Sequence, residues 1–261
     1  MPLNESPGLT GSLKTLLLRG LLAGLIAGLL AATVGFTIGE SKINAAIAIE
    51  ESQSQAHEHA ESAAAGGHSH GDEEEPLVSR TGQKAGQFLA LGLFGLAIGA
   101  VLGMVAHWAR RYTTLSGPKL ALGLAAGGWL AIVAVPFFKY PANPPAVGDP
   151  DTINQRTWLW LAVVLLGFAA VGTGVYVFKL LRTQLSTVRL IGAVAAFLLV
   201  TAAGYILLPG INEVKSDFPA TLLWQFRAAS LAETATLWLV LGLAYAALTE
   251  FASRDRVPAV A

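Results

Sequence analysis

Four of the five histidines fall within fourteen residues, as His57-Glu-His59 and His68-Ser-His70, and Asp72-Glu-Glu-Glu75 follows almost at once. Imidazole nitrogen and carboxylate oxygen together suit borderline divalent ions such as cobalt, nickel or zinc, and histidine-rich tracts capture such metals. The first-row affinity order lets copper, nickel and zinc compete with cobalt in a loosely organised tract, so the tract alone selects no single metal. Capture needs neutral imidazoles and weakens as pH falls through about 6.5. The competing reading is a passive, solvated low-complexity loop. His57-Glu-His59 is not an HExxH arrangement, and Ser62-Ala-Ala-Ala-Gly-Gly67 imposes no coordination geometry, which argues against a catalytic metal centre.

Three carboxylates add to this inventory. Glu233 is the clearest polar intrusion into an apolar stretch, six residues beyond Arg227 and about 9 Å further along an ideal helix. An ionised carboxylate there requires a cation, hydrogen-bond donors or water, and protonation is the other way to lower its cost. Transport or coupling, structural hydrogen bonding or pairing, and a misplaced membrane boundary all account for it. Thr234 and Thr236 are weaker candidates, because helical hydroxyls commonly bond backbone carbonyls. Glu40, Asn44 and Ile47 recur at three- and four-residue spacing, which predicts that the first helix continues past the membrane as an amphipathic rod. On that rod Glu50, Ser54, His57 and Glu61 share a face. The candidate metal ligands are therefore His57, His59, His68, His70, Glu40, Glu50 and Glu233. His107 stands apart, with an interfacial or packing role weighed against a pathway role.

The elements that must position these groups are set by lipid. Hydrophobic residues make up 54% of the 261, and the mean hydropathy of +0.57 exceeds that of water-soluble domains. The excess comes in blocks of about twenty residues, the length that crosses about 30 Å of hydrocarbon as α-helix. Predicted spans are Thr15–Ile38, Gly86–Ala106, Leu120–Phe137, Trp158–Phe178, Arg189–Leu208 and Ala228–Leu248. The expected fold is all-α: a polytopic transmembrane helical bundle of six spans, forming a single membrane domain over 1–261. The first block, flanked by Lys14 and Arg19 and followed by Glu40 and Lys42, is read as a retained helix and not a cleaved signal.

Charge orients the bundle. Ten of the seventeen basic residues, including Arg110, Arg111, Lys119, Lys179 and Arg182, lie on the side of the termini, and thirteen of the seventeen acidic residues lie opposite. The positive-inside rule puts both termini in the cytoplasm, with 39–85 as an acidic, His-containing extracytoplasmic loop. The acidic outer face suits cations. Overall charge balance offers nothing to nucleic acid. The absence of cysteine removes disulfides and thiolate sites, and no Gly-x-x-x-x-Gly-Lys-Ser/Thr loop supports ATP hydrolysis. No serine-histidine or metalloprotease constellation suggests an enzyme, and no catalytic cofactor is expected.

Gly20, Gly24 and Gly28, then Gly95, Gly99 and Gly103, and more briefly Gly123 and Gly127, recur every four residues. Such strips let helix backbones approach closely, so they are read chiefly as bundle packing and secondarily as a glycine-lined route. The proline-stiffened stretch Tyr140-Pro-Ala-Asn-Pro-Pro-Ala-Val-Gly-Asp-Pro150 is expected to cap the bundle. Asp149 and Asp151 are weaker candidates for ion coordination there.

Taken together, the chain resembles CbtA, a family of predicted cobalt transporter proteins. The resemblance rests on Gly39-Glu-Ser41 and Ala48-Ile-Glu50 after the first span, and on Glu75-Pro-Leu-Val-Ser-Arg80 with Gln83 and Gly86. It also rests on the proline-rich stretch with Thr152, Arg156 and Thr157, and on Asn212-Glu213, Phe218-Pro219, Phe226-Arg227, Ser230-Leu231 and Trp238. It implies a multi-pass protein of the bacterial inner membrane that takes up Co2+ as substrate, with Ni2+ or Zn2+ as alternatives, in support of cobalamin synthesis. A small, histidine-bearing CbtB-like membrane protein is the partner it implies, and a homo-oligomer is left open. Ser41 departs from the proline that often follows the Gly-Glu pair, which leaves the helix free to continue. A nontransporting metal-binding scaffold or sensor is the alternative function.

Overall fold

A computed structural model of the protein describes residues 8–64 and 79–254, with side chains placed over 8–55 and 79–252. Among these residues it is all-α, with one isolated bridge between Gly8 and Ser116. Helix α1 (Leu13–Val34) runs through a π-helical turn at Gly35–Gly39 into α2 (Glu40–Ala64). Then come α3 (Arg80–Ala109), α4 (Gly117–Trp129), a second π turn (Leu130–Ala134), α5 (Val135–Lys139), α6 (Ile153–Leu180), α7 (Ser186–Leu207) and α8 (Ala220–Arg254). Among the described residues, six continuous helical stretches are long and apolar enough to cross a membrane.

The predicted span centres hold, while several ends move outward. The Ser12 and Ser79 hydroxyls accept from the backbone N–H groups of Thr15 and Gly82, both at 3.2 Å, so α1 and α3 begin at polar caps outside the apolar blocks. The third stretch reaches from Gly117 to Lys139 because the π turn ends two residues before Pro136, whose missing N–H and bulky ring do not fit a regular α turn. Helix α8 starts just after Pro219, eight residues earlier than hydropathy indicates. Glu233 therefore lies thirteen residues beyond Ala220, about 20 Å along the helix.

The glycine strips of the first two spans form the tightest contact. Gly20 faces Gly99, Gly24 faces Gly95 and Gly28 faces Leu91, an antiparallel register in which any Cβ would overlap the opposing carbonyl. Backbones this close gain dispersion contacts that larger side chains would prevent. The third strip does not behave this way. Gly123 is exposed with open space around it, and a Cβ on Gly127 would meet only Val171 Cγ1, at an ordinary 3.5 Å. The close approaches of that span instead use Gly128, against the Trp238 ring, and Ala131, against Gly167 of α6.

Helix α8 is central, with Leu241 and Tyr245 fully buried among Leu16, Ala27, Leu102, Leu120 and Ala125. By contrast, α7 packs on α6 and exposes Leu198, Leu199, Ile206 and Leu207, an outer surface suited to acyl chains. The amphipathic continuation of the first helix is also present. Ala46 of α2 is fully buried against Phe218 and Leu223, with Ile49, Val147 and Val214 around it, so the rod lies on the loops that close this end of the bundle.

Candidate metal-route site

The π turn at Gly35–Gly39 is a single-turn widening of the helix, a device that breaks the regular side-chain register. Gly35 faces α3 and α8 there. A Cβ on it would overlap Glu233 Oε2 and come within 2.6 Å of Gln87 Nε2. The glycine thus leaves room for a carboxylate and an amide between three helices. Gln87 Nε2 donates to Glu233 Oε2 at 3.5 Å, and among the described residues no basic side chain forms an ion pair with Glu233.

Around this point lies a cavity of about 350 Å³. The first helix contributes Gly35, Gly39, Glu40 and Ile43; α3 contributes Arg80, Gln83, Lys84 and Gln87; α8 contributes Phe226, Ala229, Ser230 and Glu233. Glu40, at the start of α2, is buried. Its Oε1 is 2.8 Å from Arg80 Nη2 and 3.3 Å from Lys84 Nζ. Arg80 is held further by Asn44 Oδ1, at 3.0 Å from Nε and 2.9 Å from Nη2, and by Gln83 Oε1 at 2.7 Å from Nη1. Two carboxylates thus share one chamber in unequal states: Glu40 is neutralised by two cations, and Glu233 meets only an amide.

The remaining candidates are not brought together here. Glu50 is exposed, ten residues and about 15 Å further along α2. His57 and His59 belong to the α2 backbone, but their side chains lie outside the described residues, as do His68 and His70 altogether. His107 is at the opposite end of α3, 3.5 Å from Arg111 Nη2. Thr234 and Thr236 turn their hydroxyls onto the carbonyls of Ser230 and Ala232, at 3.0 and 2.8 Å. Among the described residues no cluster of three or more histidine, aspartate or glutamate side chains is arranged to hold a metal.

A second cavity, of about 470 Å³, lies under the proline-rich stretch. Arg227 donates from Nε to Ala142 O at 3.2 Å and from Nη2 to Asn143 Oδ1 at 2.9 Å. Arg156 Nη1 is 3.1 Å from Glu213 Oε2, and Thr152 donates to the same carboxylate. Lys139 Nζ donates to Tyr205 O near the end of α7 at 2.9 Å and to Leu208 O just beyond it at 2.8 Å. The Tyr140 hydroxyl donates to Pro209 O at 2.6 Å, and burial pushes its pKa above the ordinary phenol value. Asp149 Oδ1 accepts from Asp151 N at 3.0 Å, a local turn bond. These contacts tie loops together and have the character of a cap.

Over residues 13–250 the chain matches the family described as Probable cobalt transporter subunit (CbtA). It belongs to that family. No curated protein and no solved structure matches it. CbtA membership gives the helical bundle a cobalt-associated role in membrane transport, as a multi-pass protein of the bacterial inner membrane. Many of the residues that carry the CbtA resemblance line the two cavities. Gly39, Glu40, Arg80, Gln83, Phe226 and Ser230 line the first, and Tyr140, Asn143, Arg156, Asn212, Glu213 and Arg227 line the second. The adjacent pair Phe226-Arg227 joins them.

Sequence reasoning missed Gly35, Lys84 and Gln87. Gly35 belongs to no four-residue strip, and Lys84 and Gln87 read as ordinary interfacial polar residues at the start of a span. The only available signal was spacing: Arg80, Gln83, Lys84 and Gln87 recur at three and four residues and so share one helical face.

Proposed function

We propose that this CbtA chain is a permease component that admits divalent cobalt through the chamber between α1, α3 and α8. The carrying observation is that Glu40 and Glu233, from opposite ends of the chain, line one cavity beside a π-helical turn. Their role is transient oxygen coordination, because a site that binds too tightly does not release its ion. Acidic residues on the outer side draw cations in, and His57, His59, His68 and His70, with Glu50, raise local metal concentration before transfer. The termini lie in the cytoplasm, following the distribution of basic loops. An inward-moving divalent ion gains about 4.6 kcal/mol per 100 mV of inside-negative potential, twice the single-charge value. Potential alone thus drives accumulation, and a small histidine-bearing CbtB-like protein helps deliver the ion. The imported metal serves cobalamin synthesis.

A second reading is favoured by one feature: Glu40 is already neutralised by Arg80 and Lys84. In that reading the chain is a nontransporting scaffold that captures metal for a partner. Purified protein in liposomes separates the two. Cobalt flux that disappears in Glu233→Gln supports the permease, and specific binding without flux supports the scaffold.

A further inference from the structure

The two cations that hold Glu40 are not equivalent. Arg80 is anchored by Asn44 and Gln83 as well as by Glu40, so it staples α3 to α2. Lys84 reaches Glu40 at 3.3 Å, and its side chain remains 36% exposed on the wall of the cavity. Four methylenes and a single ion pair let it swing out without unpacking a helix.

We propose that Lys84 is a charge filter: a tethered monovalent cation at the Glu40 carboxylate that a divalent metal displaces and a free monovalent ion does not. This rests on the route proposed above and names its specificity-determining residue. The argument is electrostatic and entropic. Attraction to a carboxylate scales with charge, so at equal distance an ion of charge two interacts twice as strongly as an ammonium. Sodium or potassium holds no such advantage. It also competes against a group covalently tethered beside the site, whose effective concentration does not fall when the bulk is diluted. With Lys84 seated, the chamber carries Arg80 and Lys84 against Glu40 and Glu233 and is formally neutral. A divalent ion that expels Lys84 changes that balance by one charge, and one that enters beside it changes the balance by two. Displacement is the less costly route. Glu233, which has no basic partner among the described residues, lines the same cavity and is placed to take the ion next.

The test measures Co2+ binding to the purified full-length chain by calorimetry, in choline chloride and in sodium chloride at equal ionic strength. The native chain binds Co2+ equally in both salts. Lys84→Gln binds about tenfold more tightly in choline chloride, a difference of about 1.4 kcal/mol, and loses that gain in sodium chloride. Lys84→Arg restores indifference to sodium. A Lys84→Gln protein that melts like the native chain and binds Co2+ no more tightly, or whose binding ignores sodium, overturns the filter. Glu40→Gln and Glu233→Gln are run beside it. If both bind Co2+ as the native chain does, the route itself is wrong and the filter falls with it. If they bind weakly while Lys84→Gln is unchanged, the route stands and only the filter is lost.

Discussion

Gly35 and Glu233 meet without room for a methyl group between them: a Cβ on the glycine would overlap the carboxylate oxygen. The obstructing atoms are the ends of two flexible side chains, Glu233 and Gln87, so they can turn aside while the backbone stays. Gly35→Ala should therefore leave thermal stability within about 1 kcal/mol of native. It should also displace the carboxylate, weaken Co2+ binding and slow uptake, with Glu233→Gln as the reference for full loss. Normal binding in a folded Gly35→Ala chain would show that the Glu233 position is not used.

The α1–α3 seam should respond in the opposite way, because the atoms facing its glycines are backbone. Gly24→Ala drives a methyl group into the Gly95 carbonyl, and neither helix can yield locally. Overpacking of this kind costs about 1–3 kcal/mol, read as a lower unfolding midpoint in detergent. Gly123→Ala is the control: open space surrounds it, and replacing a helical glycine should stabilise by roughly 0.5–1 kcal/mol. Equal destabilisation by the two substitutions would contradict the observed seam.

This contrast shows what a sequence exposes. Hydropathy locates the six spans because lipid imposes one requirement on every turn, and Glu233 stands out because it breaks that requirement. The end of the bundle is harder to read. Caps at Ser12 and Ser79 and the Pro219 boundary depend on a few atoms, which averaging over a window erases. Gly20, Gly24 and Gly123 look alike in sequence, yet only the first two face a partner, because a four-residue repeat fixes a face and not what covers it. Glu40 was legible as a candidate ligand. Its capture by Arg80 and Lys84, some forty residues away across a helix pair, was not.

Arg227 joins α8 to the proline-rich stretch through Ala142 O and Asn143 Oδ1. Arg227→Gln removes charged donors from both, and hydrogen bonds to charged groups contribute about 1.5–3 kcal/mol. The cap should loosen, with a lower unfolding midpoint and faster proteolysis within 140–150. Because Arg227 adjoins Phe226 of the other cavity, Co2+ binding should weaken less than in Glu233→Gln. An unchanged midpoint and cleavage rate would remove Arg227 from the cap.

Tyr140 gives that cap an alkaline limit. Burial raises its folded pKa above the ordinary phenol value of 10.0, so the folded chain keeps the phenolic proton where the unfolded chain releases it. Stability from this group is full below pH 10.0 and declines as pH rises from there through the folded pKa. Unfolding midpoints should drop across that alkaline window in the native chain. In Tyr140→Phe, which lacks the proton and the bond to Pro209 O, the drop should be smaller and the baseline lower. A parallel fall in both proteins would assign the alkaline sensitivity to other groups.

In the proposed function the histidine tract captures metal, and the chamber coordinates it during passage. On that proposal capture would raise the local supply of metal without altering coordination at Glu40 and Glu233, so deletion of 57–70 should matter only when metal is scarce. Cobalt uptake in cells lacking their own importer is expected to fall at low external metal and to reach the native maximum at high metal. The deficit should shrink as pH drops through about 6.5, because protonated imidazoles no longer bind metal in the native chain either. Glu233→Gln should instead lower uptake at every concentration, and coexpression of a small histidine-bearing partner should rescue the deletion but not this substitution. Identical uptake by native and deleted chains throughout the metal range would leave the tract with no part in capture.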